Sequence, residues 1–74
     1  MSQNQKIAEY LRSGKSITPM EALKKFRCFR LASRISDLKS RGMNIKKSMV
    51  NDINADGDPV RYAVYWLEGG NGKQ

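Results

Sequence analysis

The sequence predicts an α+β domain, mainly helical, in which three helices are followed by a two-stranded β-hairpin. Three observations carry that reading. Apolar residues recur at helical spacing in separate segments before Gly42, the period then shifts to β-branched and aromatic runs, and "NDINADGDP" between those runs supplies the residues that turns select. At 74 residues the chain makes one domain, expected over residues 1–68, with residues 69–74, "GGNGKQ", as a disordered Gly-rich tail. A core this small supplies only about 3–5 kcal/mol, which points to a binding module and away from a deep pocket with a large catalytic apparatus.

The first helix is expected over about residues 5 to 12, capped by Asn4, with Ile7, Tyr10 and Leu11 forming one buried stripe, and Gly14 ends it. In "SITPMEALKKF" the start signal is a capping box: Thr18 caps, Pro19 takes the first helical position and Glu21 the third. Ile17 and Ala22 stand at the two staple positions. This second helix is short, about residues 19 to 25. About three residues, Phe26 to Cys28, then separate it from a third helix over about residues 29–41. So short a turn forces a steep helix crossing, the helix-turn-helix arrangement.

At 100° per residue, with Leu31 set at 0°, Ile35 falls near 40° and Leu38 near 340°, while Arg30, Ser33, Asp37 and Arg41 spread between about 200° and 280°. Arg34 lies at the border near 300°. Core and exposed faces therefore separate. Gly42 is the expected left-handed stop. Beyond it "MNIKKSMV" and "PVRYAVYWL" read as the hairpin strands with a long loop between them, Ala63, Tyr65 and Leu67 facing inward and Tyr62, Val64 and Trp66 partly exposed. Phe26, Cys28 and Phe29 are expected in core or turn packing.

The formal charge of +7 is unevenly placed. Residues 24–47 hold nine basic groups against Asp37 alone, which gives +8 and leaves −1 for the rest of the chain. Charge gathered in that way marks a surface for a polyanion, most often nucleic acid. Cys28 is the lone cysteine and there is no histidine, so an intrachain disulfide, a thiolate zinc cluster and the usual imidazole base are all lacking. The expectation is a protein that is not an enzyme and takes no cofactor or metal. "MSQNQKIAEYLRSGK" has no apolar run of signal-peptide length and no stretch approaches a membrane span, which predicts no membrane partner and a cytoplasmic, nucleoid-associated location.

Three helices and a hairpin make a winged helix-turn-helix. "SITPMEALKKFRCFRLASRISDLKSRGMNI" followed by "RYAVYWL" resembles a family of small helix-turn-helix proteins encoded largely by bacteriophages and prophages and presumed to bind DNA. The resemblance spans about residues 7–67. It implies a DNA-binding transcriptional regulator in a bacterial host. One position departs from it: the family commonly carries Gly where this chain has Arg27, and a positive φ there would cost an Arg about 1 kcal/mol.

On double-stranded DNA the third helix would enter the major groove. Arg30 is the first candidate for reading guanine, and Ser33 is short enough to let the helix approach closely. Arg34 has two roles open to it, a phosphate contact or base-side position and an ion pair. Asp37 reads as the i, i+4 partner of Arg41, with cytosine reading as its sharper alternative. Phosphate candidates are Lys25, Arg27 and Arg41, the backbone N–H groups that Thr18 and Pro19 place at the start of the second helix, and Lys46, Lys47 and Arg61 on the wing. Asp52, Asp56 and Asp58 should turn the wing tip away from DNA. A homodimer on a two-fold operator would supply affinity that one small domain lacks. The alternatives are a DNA-bending architectural or excision factor, and a winged-helix module that binds a host protein through the acidic wing tip and Trp66.

Overall fold

The computed structural model describes residues 2–68, so the Gly-rich tail expected over 69–74 lies outside the described residues. The chain runs α1 (Gln3–Arg12), α2 (Pro19–Phe26), α3 (Leu31–Ser40), β1 (Ile45–Ile53) and β2 (Pro59–Leu67), three helices followed by a two-stranded antiparallel hairpin as the sequence predicts.

The cap of α1 is Ser2 rather than Asn4. The Gln5 N–H donates to Ser2 Oγ at 3.2 Å and the Ser2 N–H donates to Gln5 Oε1 at 3.1 Å, a reciprocal capping box that satisfies two end donors. Asn4 instead lies inside the first turn, buried. Ile7, Ala8 and Leu11 form the buried face, while Tyr10 packs at the core margin with its ring edge-on to Phe26, 5.6 Å between centroids.

The capping box of α2 forms as its sequence predicts, with the Glu21 N–H donating to Thr18 Oγ1 at 3.2 Å and the Thr18 N–H donating to Glu21 Oε1 at 3.1 Å. Just before it, Ile17 makes a contact that no local pattern announces. Its N–H donates to the Tyr65 carbonyl at 2.8 Å and its carbonyl accepts from the Tyr65 N–H at 2.9 Å. One extended residue thus flanks β2 opposite β1 and ties the start of α2 to the wing. Ile17 and Ala22 are both fully buried beneath it.

The turn between α2 and α3 is Arg27–Arg30, one residue longer than expected. Arg27 adopts φ 54° and ψ 35°, the only non-glycine residue with positive φ among the described residues. That conformation turns the chain sharply enough for the Cys28 N–H to reach the Ala22 carbonyl at 3.1 Å and for the Cys28 side chain to be buried. Phe29 overturns its expected packing: it is 83% exposed. Leu31, Ile35 and Leu38 face inward at 3% exposure each, and burying such side chains contributes about 1.5–3 kcal/mol apiece. Gly42 ends the helix at φ +100°.

The strands reach further than the turn-rich composition suggests, pairing from Ile45↔Leu67 to Ile53↔Pro59 and leaving only residues 54–58 as the loop. Asn51 and Asp52 look like turn residues but sit in register opposite Arg61 and Val60. The loop is closed by Asn54, whose Oδ1 accepts from the N–H groups of Asp56 and Asp58. Cross-strand partners share a face. Ile45, Ala63, Tyr65 and Leu67 therefore lie together on the core side, as the predicted inward set requires.

Candidate nucleic-acid interface

The buried seam of α3 fixes which of its residues can meet a partner. Arg30 is exposed, but it is the N-cap of α3 and not a first-turn residue. The helix begins at Leu31 because the Arg30 carbonyl already accepts from the N–H groups of Ser33 and Arg34, at 3.1 and 3.3 Å. No side chain caps that end. Arg30 thus stands at the mouth of the helix, next to backbone N–H groups that carry partial positive charge. Ser33 follows in the first turn, half-buried.

Arg34 and Asp37 hold each other. Arg34 Nη1 lies 3.8 Å from Asp37 Oδ2 and donates to Asn4 Oδ1 at 3.5 Å. Among the described residues this is the ion pair that forms, so the expected partner of Asp37, Arg41, is replaced by Arg34 one turn back. The reason is reach: the half-buried Arg34 lies against α1, where Asn4 supplies a second acceptor. A pair this exposed adds at most about 1 kcal/mol, but it orients the guanidinium toward α1 and makes Arg34 a tie between helices.

The start of α2 offers less to an anion than its sequence implies. Thr18 and Glu21 spend their N–H groups on each other, and Pro19 has none. Only the Met20 N–H is left among these, a direct consequence of the capping box. Thr18 is in consequence a cap first.

Lys25, Arg27, Arg41, Lys46, Lys47 and Arg61 are exposed, and among the described residues none of them forms an ion pair. Lys25 Nζ lies 5.9 Å from the centre of the Tyr10 ring, which holds it near the α2 end. Arg41 is the C-cap of α3. The pleat divides the wing's basic groups. Lys47, opposite Tyr65, and Arg61, opposite Asn51, share the helix-facing side, whereas Lys46 is opposite Trp66 on the outer side. The three wing residues therefore do not form one patch. The outer side also carries Val60, Tyr62 and Val64, all half-buried.

Phe29 is the residue of this surface that the sequence reading assigned elsewhere. On a helix drawn from residue 29, stepping back from Leu31 at 100° per residue puts Phe29 near 160°, opposite the buried seam; in the structure Phe29 precedes α3, in the turn, and is exposed there. The left-handed Arg27 is a cost carried in the same turn. Arg27→Gly should raise stability by about 1 kcal/mol, or roughly 4–8 °C in thermal midpoint for a domain of this size, while weakening duplex binding. A lowered midpoint would show that no strain resides there.

A family model described as a winged helix-turn-helix domain matches residues 2–69. No curated protein and no solved structure matches the chain.

Proposed function

The chain belongs to the winged helix-turn-helix domain family, and from that premise we propose that it binds double-stranded DNA in a sequence-specific manner. A winged helix-turn-helix suggests DNA binding; what supports it for this chain is one observation. The excess positive charge lies on exposed side chains of α2, the α2–α3 turn, α3 and β1, while the apolar seam of α3 is used up in the core.

In this reading α3 enters the major groove by its N-terminal end. Arg30 presents a planar fork to guanine N7 and O6, and Ser33 keeps the following turn close to the bases. Lys25, Arg27 and Arg41 take phosphates on either side of the groove, and Lys47 and Arg61 reach the backbone from the helix-facing side of the wing. Lys46 adds long-range attraction from the opposite side. Arg34 and Asp37 set the tilt of α3 on α1. The role is that of a transcriptional regulator, and the resemblance to phage and prophage proteins makes a phage-encoded regulator the specific form of it.

Selecting bound fragments from a random DNA pool and then titrating two variants tests the assignment. Arg30→Ala should lose about 1–3 kcal/mol on the selected site and relax the preference at one position. Lys47→Ala should weaken selected and random duplexes alike. Equal, uniform losses for both variants would remove the division between reading and holding.

The outer side of the wing favours an added contact with a second copy. Val60, Tyr62, Val64 and Trp66 form an apolar, half-buried stripe there, with Val60 and Tyr62 bordering a cavity they share with Pro19, Met20 and Lys24 of α2. A dimer joined through that side would leave both α3 helices available to a two-fold operator. Sedimentation of the free protein and of Trp66→Ala decides it; two monomeric profiles would exclude the dimer.

A further inference from the structure

Phe29 is the most exposed large apolar side chain among the described residues, at 83%, ahead of Ile53 at 61% and Met20 at 59%. A Phe left in water forgoes the burial that usually stabilises it. It is also held out by its neighbours. Cys28 on one side and Leu31 two residues on are buried, at 2% and 3%, and Arg27 is fixed in the left-handed region, so the backbone cannot turn the ring inward without unseating the core.

Resting on the DNA-binding reading above, we propose that Phe29 is a base-reading residue whose ring packs on the C5-methyl group of a thymine in the major groove. Its place in the chain fits. Phe29 immediately precedes Arg30, the N-cap of α3, and the N-terminal end of a recognition helix is the part that meets base edges. The charge around it selects the occupant. Arg27 and Arg30 flank it, while the nearest acids in sequence are committed elsewhere, Glu21 to the cap of α2 and Asp37 to Arg34. A second copy of the chain would bring like charges together at this point. A duplex supplies what the surface asks for, anionic phosphates around a groove in which the thymine methyl is the apolar group.

The test uses the selected duplex with each thymine replaced singly by uracil, which removes only that methyl. Wild-type protein should bind about 3- to 5-fold more weakly at one position, the worth of a single buried carbon. Phe29→Ala should bind the thymine and uracil duplexes equally well, with its thermal midpoint unchanged because the ring touches no core. A flat uracil scan with wild-type protein, a selected site without thymine, or an undiminished discrimination in Phe29→Ala would each overturn the proposal while leaving DNA binding intact. Failure of wild-type protein to bind any duplex would overturn both readings together.

Discussion

Replacing Ile35 with Ala should destabilise the domain by about 2–5 kcal/mol and leave much of the chain unfolded in water. Ile35 is 3% exposed and lies at the middle of the seam that docks α3, between Leu31 and Leu38. A domain this short has only about 3–5 kcal/mol from its core to lose. Ala is a slightly better helix former than Ile, but by less than about 0.7 kcal/mol, too little to offset the cavity. Urea titration followed by circular dichroism measures the change, with Ser36→Ala on the exposed face as the control, expected within about 0.5 kcal/mol of wild type. An unshifted midpoint for Ile35→Ala would mean that α3 is not held by this seam. DNA affinity should fall with the folded fraction, since the unfolded chain keeps the charges but presents them on no rigid surface.

The seam was legible because helical periodicity encodes it locally: Leu31, Ile35 and Leu38 need only each other's spacing to be recognised. The capping box of α2 was legible for the same reason, as Thr18, Pro19 and Glu21 lie within one turn. At α1 the equivalent pattern, Ser2 followed by Gln5, was also present, yet Asn4 stood nearer the first apolar residue and was the expected cap. What could not be read were contacts made by distant parts of the chain. Asn4 and Arg34 are separated by thirty positions, and the bridge from Ile17 to Tyr65 involves a single extended residue with no strand around it. The strand ends were misjudged where composition and pairing conflict. Asn51 and Asp52 favour turns, but the register set by Ile45 and Leu67 carries them into the ladder.

The site was legible in outline and not in its bonds. Charge density marks the surface proposed for DNA, and the family's glycine at the position of Arg27 pointed to the left-handed turn that the structure shows. Which cations are already engaged is a matter of geometry. Arg34 is tied to Asn4 and Asp37, and Lys46 faces away from Lys47, so fewer side chains are available to one duplex than the run of basic residues implies. Phe29 shows the opposite error. Large aromatic side chains are usually inside, and that prior outweighed its angular position.

Raising the salt concentration from 50 to 200 mM should weaken duplex binding roughly 150- to 2,000-fold, because about four to six phosphate contacts each release about 0.9 of a counterion. The range follows from the exposed cations that the proposed reading places against phosphate, Arg27, Lys25, Arg41, Lys47 and Arg61, none of which forms an ion pair among the described residues, with Arg30 assigned in that reading to the bases. The plot of log K against log salt should be straight, with a slope between about −3.6 and −5.4. Variants then apportion it. Lys47→Ala and Arg61→Ala should each make the slope shallower by about 0.9 if they touch phosphate. Arg34→Ala should leave it nearly unchanged, because that guanidinium is already occupied by Asp37 and Asn4 and releases no counterion on binding. An affinity indifferent to salt would mean that the positive surface of α2, α3 and β1 is not where the partner sits. A slope lost through Lys46→Ala and retained in Lys47→Ala would mean that the duplex lies against the outer side of the wing.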